Sequence, residues 1–259
     1  MTDPVLVSRE GGIATVTLNK PDRLNALDKT MWQRLGSIMR ELSADESLRC
    51  LVLRGAGDKA FAAGADISEF ATERADSRQA ADYGKLIHET MQSVGRSRHP
   101  TVALIKGACI GGGLEIAAMC DLRICGEASR FGIPINKLGL TMGYGELMGL
   151  LALIGRAAAL EILLEGRVFD AQEAWRKGLV TRVVPEERVE AEAYALAARI
   201  AEGAPLVARW HKQFIERLTV AAQLTDAEWK EGFACFDTAD FREGVRAFLE
   251  KRKPAFKGR

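Results

Sequence analysis

The chain has 259 residues, enough for one large domain or two modest ones, with a core that needs neither disulfides nor a structural metal. Lysine plus arginine total 36 against 35 for aspartate plus glutamate, and the formal net charge of +1 offers no electrostatic footprint for nucleic acid or an anionic membrane. Five cysteines (Cys50, Cys109, Cys120, Cys125, Cys235), odd in number, in apolar contexts and without a Cys-x-x-Cys pair, read as reduced thiols of a cytoplasmic protein, with no metal or redox use.

MTDPVLVSRE at the N-terminus lacks the basic start and apolar core of a secretory leader, and no uncharged run reaches the roughly 18 residues needed to span a bilayer. VLVSREGGIATVTLNK predicts two strands joined at Gly11 and Gly12, with Ala14, Val16 and Leu18 alternating against Thr15 and Thr17. NALDKTMWQRLGSIMRELSAD predicts a helix with Asp28 as N-cap and Met31, Leu35, Ile38, Met39 and Leu42 along one face. CLVLRGAG is a short buried strand, FAAGADISEF a glycine-containing turn, and 71–77 a polar, mobile stretch: a flap over a bound group or an ordinary surface loop.

A helix resumes through AADYGKLIHETMQSVGR until Pro100; TVALIKG, DLRICGE and SRFGIP read as further strands. Past Gly145 the pattern is helical through LMGLLALIG, RAAALEILLEG and DAQEAWRKGL, with VTRVV the one strand, and about four more helices lead to the basic EKRKPAFKGR. Alternating strands and helices followed by helices alone predict an α/β core with a helical extension, without a compositional linker between them.

Chemistry concentrates in ACIGGGLEIAAMCDL, where Gly111, Gly112 and Gly113 precede a helix. A helix start exposes backbone N–H groups, so such a turn admits either a phosphate or an oxyanion that develops at a carbonyl. The spacing fits neither a dinucleotide fingerprint nor a P-loop, which leaves the oxyanion. A second donor is available at the Ala65 N–H, since Gly64 permits the turn in FAAGADI. Glu115 lies in the first helical turn, where a carboxylate gains from the helix dipole, but apolar neighbours on every side would desolvate it and raise its pKa into the range of general acid/base work. His88, His99 and His211 share no spacing that suggests a triad and read as surface or packing residues.

With LNKPDRLNALD, FAAGADISEF, IKGACIGGGLEIAAMCDLRIC, FGIPINKLGL, GRVFDAQEAWRKGLVTRVVP and FLEKRKPAFKGR, the chain resembles the crotonase, or enoyl-CoA hydratase/isomerase, superfamily over essentially its whole length. The resemblance implies a ββα spiral core over 1–195, with two sheets, and a helical C-terminal trimerisation region over 196–259, assembled as a homotrimer or a hexamer. It implies an acyl-CoA thioester as substrate, coenzyme A being part of that substrate and no other cofactor needed. Ala65 and Gly112 would form the oxyanion hole and Glu115 would be the catalytic glutamate. Arg23, Leu24 and Ala26 would line the coenzyme A path, and Phe248 and Lys251 would reach the nucleotide end from a neighbouring subunit; for Lys251 a solvated basic tail is an equal reading.

Two departures stand out. Ser68 is neutral where some hydratases of this superfamily have a lysine, and Ile135 follows Pro134 where two-glutamate hydratases have their second carboxylate. The expectation is therefore a hydratase with a single catalytic glutamate, and Ile135, Gly143, Tyr144 and Glu146 as substrate-pocket residues. The alternatives are another reaction of the superfamily (hydrolase, decarboxylase, hydratase/lyase or isomerase) or an acyl-CoA-binding protein without turnover. For Glu146 the competing role is an exposed acid at a helix start.

Overall fold

The computed structural model describes residues 3–220, 225–231 and 233–259. The opening hairpin is β1 (Val5–Glu10) and β2 (Ile13–Leu18), antiparallel, with Val5 opposite Leu18. Helix α1 (Lys29–Ala44) is capped by the Asp28 carboxylate, which accepts from Met31 N–H at 2.9 Å. Its expected stripe, Met31, Leu35, Ile38, Met39 and Leu42, is buried throughout.

Three units then repeat one order of elements. The first is β3 (Cys50–Gly55), β4 (Ala60–Ala62), the single turn α2 (Phe70–Glu73) and α3 (Ser77–Gly95). The second is β5 (Thr101–Ile105), β6 (Ala108–Ile110) and α4 (Gly112–Met119); the third is β7 (Leu122–Gly126), β8 (Arg130–Gly132) and α5 (Tyr144–Glu165). The chain continues through β9 (Phe169–Asp170), α6 (Ala171–Arg176), β10 (Arg182–Val184), α7 (Val189–Glu202), α8 (Pro205–Val220), α9 (Asp226–Glu231) and α10 (Ala239–Leu249).

The larger sheet has the order β1-β2-β3-β5-β7-β10 and the smaller β4-β6-β8-β9. Because β3, β5 and β7 are parallel neighbours in one and β4, β6 and β8 in the other, each unit advances the chain by one strand in both sheets, which is the expected ββα spiral. The inner strands β3, β5 and β7 of the larger sheet are buried on both faces, as parallel strands under helices require. Leu51, Leu53, Ala103, Ile105 and Cys125 join the main core with Trp32 and Phe61. Their alternates Cys50, Val52, Val102, Leu104 and Ile124 pack instead on Val189, Ala193, Leu196 and Ala197 of α7. Residue 195, the expected limit of the core, thus lies inside a helix that covers the larger sheet.

Three features differ from the elements read in the sequence. Strands β4, β6 and β9 occupy two or three residues each, too few for alternation to register. The stretch 71–77 is not a free flap: it holds part of α2 and the start of α3, and Lys29 Nζ ties Glu73 to α1 at 2.6 Å. LMGLLALIG and RAAALEILLEG form one helix, broken at Gly155 (φ 71°, ψ 173°) where the two patterns meet. That helix, α5, is long and apolar enough to cross a membrane by length and composition, but it contains Arg156 and Glu161, and only Leu150, Ala159 and Ile162 of its 22 residues are buried.

Candidate active site

Two glycine turns abut at the start of α4. Gly64 (φ 101°) and Gly111 (φ 48°) adopt backbone angles that side chains disfavour. A β-carbon on Gly64 would stand 3.3 Å from the Ile110 carbonyl oxygen, and one on Gly111 would stand 3.7 Å from Gly64 Cα. Gly111 donates its own N–H to Gly132 O and accepts from Glu115 N–H, both at 2.9 Å. The N–H groups of Gly112, Gly113 and Leu114 come before the first intrahelical bond, and no capping side chain covers them. Leu27 bonds on either side of Ala65, donating to Gly64 O at 2.8 Å and accepting from Asp66 N–H at 2.9 Å. The Ala65 N–H therefore faces away from Leu27, and two unused donors, of Ala65 and Gly112, sit on turns that touch.

Glu115 is 8% exposed, on a helix whose neighbouring residues Leu114, Ile116 and Ala117 are also buried, and its carboxyl has no hydrogen-bond partner among the described residues. Burial pushes its pKa up to about 8; the nearby charge of Glu146 adds to the rise and the Arg74 guanidinium opposes it. The rise favours the neutral carboxylic acid over the carboxylate. At the other end of α4, buried Arg123 donates to Ala117 O at 3.2 Å, to Leu179 O at 2.9 Å and to Cys120 O. This cation at the helix C-terminus complements the dipole and fixes the element that presents Glu115.

The strip holding Arg23, Leu24 and Ala26 runs beside the Ala65 turn. Leu24 O accepts from Ala63 N–H at 3.0 Å, and Arg23 pairs with Asp66 at 2.9 Å. Ser68 is occupied locally, its N–H and hydroxyl both bonded to Asp66. Ile135 is half-buried and packs against the main core. Gly143 is the N-cap of α5 and donates its N–H to Glu146 Oε2 at 2.5 Å, so Glu146 is a helix-start acid that also bears on Glu115. Tyr144, expected among the pocket residues, is 90% exposed at the first position of α5, where its glycine neighbours Gly143 and Gly145 offer it nothing to pack against. Phe248 is 84% exposed and lines an apolar hollow of about 420 Å³ with Val207, Phe241, Val245 and Phe256; Lys251 is exposed just beyond α10.

One residue enters the site that sequence reasoning did not single out. The Arg74 guanidinium lies 3.8 Å from the centroid of the Tyr83 ring and 4.9 Å from that of Phe70, with its Nε buried and unpartnered among the described residues. Its polar setting, ATERADSRQ, carries no signal for this, because the aromatic partner arrives only when α3 folds back. His88, read as a surface or packing residue of a helix, rests against Gly145 at the start of α5 and leaves no room for a β-carbon there.

Residues 8–259 match the family model described as enoyl-CoA hydratase/isomerase. A relative from Mycobacterium bovis, named "probable enoyl-CoA hydratase", is 37% identical over 257 residues, 98% of each chain. A short-chain-enoyl-CoA hydratase of Clostridium acetobutylicum is 34% identical, again over 98% of each. The crystal structure of an enoyl-CoA hydratase/carnithine racemase from Magnetospirillum magneticum superposes with a TM-score of 0.98 at 49% identity, covering 100% of this chain and 97% of that one. With matches of this extent in sequence and in fold, the chain belongs to the enoyl-CoA hydratase/isomerase family.

Proposed function

We propose that the protein is an enoyl-CoA hydratase, adding water across the 2,3-double bond of a 2-enoyl-CoA thioester. The observation that carries this is Glu115, a buried, unpartnered carboxyl one helical turn from an uncovered helix start. The thioester oxygen accepts from the Ala65 and Gly112 N–H groups, and the negative charge that builds on it as oxygen adds to Cβ is held there; one such donor is worth about 10²–10³ in rate. Glu115, protonated near neutrality, gives its proton to Cα.

Coenzyme A enters as part of the substrate, so the scheme uses no separate cofactor. Arg23, Leu24 and Ala26, beside the Ala65 turn, flank its path. Phe248 and Lys251, exposed on one chain, serve a neighbouring subunit of a homotrimer or hexamer. The exposed Met148, Leu151, Leu160 and Leu164 on α5 support such an assembly, since apolar patches of this kind mark interfaces. The free thiols fit the reducing cytoplasm.

Hydration of crotonyl-CoA and longer enoyl-CoAs, followed by loss of enoyl absorbance, tests the assignment with Glu115→Gln. The expected loss is about 10³-fold or more in kcat; a variant at the wild-type rate overturns it. Ile135 favours the rival readings, a different acyl-CoA reaction or binding without turnover. A broad acyl-CoA turnover panel beside calorimetry of coenzyme A binding separates these from hydration.

A further inference from the structure

Hydration moves two protons, one onto Cα and one off the attacking water, and isoleucine at 135 can move neither. The packing of α3, α4 and α5 brings up another carboxyl. Met119, one turn after Glu115 on α4, fills the space between Gly95 of α3 and Gly149 of α5. A β-carbon on Gly149 would lie 2.5 Å from its sulfur, and one on Gly95 would lie 2.6 Å from its terminal methyl. One turn before Gly149 come Gly145 and Glu146, and Gly145 is met by His88, two turns before Gly95. Helices α3 and α5 therefore run in the same direction past Met119. Met119 is one turn after Glu115 and Gly149 about one turn after Glu146, so the packing of Met119 on Gly149 joins α4 to α5 near both carboxyls, and the Glu146 charge adds to the rise in the Glu115 pKa.

We propose that Glu146 is the second proton carrier of this site, taking a proton from the water that attacks Cβ while Glu115 protonates Cα. This rests on the hydratase reading. The water oxygen forms the C–O bond to Cβ, and one water O–H bond breaks as its proton passes to the Glu146 carboxylate. The π pair of the double bond, held on the thioester oxygen as an enolate, closes on the proton from Glu115. The proton then returns from Glu146 to Glu115, directly or through water, and the pair is reset. Only Oε2 of Glu146 is engaged by Gly143 N–H, which leaves Oε1 for water. Among the described residues, the other charged or titratable groups beside the pair are Arg74, from the segment between α2 and α3, and His88 of α3, which meets Gly145 next to Glu146. Arg74 offsets the one negative charge that the pair carries in either state.

Glu146→Gln keeps an acceptor for Gly143 N–H while removing the proton carrier. Its kcat for crotonyl-CoA is expected to fall about 10²-fold or more with KM within about threefold, and to lose the acid limb of the pH profile, which reports the base. Adding Ile135→Glu in the same chain is expected to recover about tenfold or more. A Glu146→Gln variant within about threefold of wild type, with both limbs intact, overturns the proposal. A wild type that hydrates no enoyl-CoA overturns the hydratase reading instead. The pair is then read without turnover, from the Glu115 carboxyl titration by ¹³C NMR. Its midpoint must fall in Glu146→Gln, and an unchanged midpoint shows that there is no pair.

Discussion

Helices α1 and α4 both start from a tight turn, and the two starts are built in opposite ways. Asp28 closes α1 by accepting from Met31 N–H, as Asp76 closes α3, Asp170 closes α6 and Thr238 closes α10. Gly111 begins α4 with no side-chain cap, and the first turn behind it carries a buried carboxyl without a partner. A cap is worth about 1 kcal/mol, and desolvating an acid costs more, so α4 gives up stability twice at one place. Packing and the Arg123 clamp hold it in position. Helices α2, α5 and α7 also start without a side-chain cap, but among the described residues only α4 joins an uncapped start to a buried carboxyl in its first turn, and that double departure marks it as the site where something else must bind.

After the loss of the Glu115 carboxyl itself, closing the open start has the largest expected effect. A β-carbon on Gly112 would lie 2.8 Å from Leu27 Cδ1 and 3.2 Å from the Trp32 ring, so Gly112→Ala shifts the donor turn. We expect kcat to fall about 10²–10³-fold, with about 1–3 kcal/mol of overpacking visible in denaturant unfolding.

Next is the cost of the buried acid itself. The folded pKa of Glu115, about 8, lies above its ordinary 4.5, so the folded state holds the proton more tightly. The stability linked to that proton is complete below about 4.5 and is lost as pH rises to about 8. Glu115→Gln escapes this loss; it should match the wild type in stability near pH 5 and exceed it by roughly 2–4 kcal/mol at pH 8, as denaturant midpoints would show.

A buried base gives the mirror image. His99 is fully buried, and burial together with the Arg209 charge pushes its pKa down to about 4 from 6.5. The unfolded chain takes the proton first on acidification, so stability is lost as pH falls from about 6.5 to about 4, by up to about 3 kcal/mol. A His99→Asn variant should flatten that part of the stability profile.

The smallest expected effect is at the ordinary start. Asp28→Ala removes the cap of α1 and should cost about 1 kcal/mol in unfolding free energy, with kcat little changed. A large kcat effect there would erase the contrast between the two helices.

Long elements were legible in the sequence because their side chains show a pattern: the stripe on α1, and the inner strands β3, β5 and β7 of the larger sheet with both faces apolar. The smaller sheet was not legible from the residues alone, since β4, β6 and β9 are held by neighbouring strands rather than by a pattern of their own. Glu115 could be found because everything beside it in the chain is apolar. Glu146 could be read either as a pocket residue or as an exposed helix-start acid; the structure bonds it to Gly143 N–H and leaves it half-buried. Its nearness to Glu115 depends on Met119 fitting between Gly95 and Gly149, a match across three helices that no local spacing records. Arg74 was hidden for the same reason, its partner Tyr83 being local in sequence but placed by the fold-back of α3.

The central claim is that Glu115 is a neutral acid at the mouth of an open helix start. Infrared difference spectra of wild type minus Glu115→Gln, recorded across pH, test it most directly. A protonated carboxyl band present at pH 7 and titrating with a midpoint near 8 is the predicted result. A carboxylate band already complete at pH 7, with a midpoint near the ordinary 4.5, would contradict it.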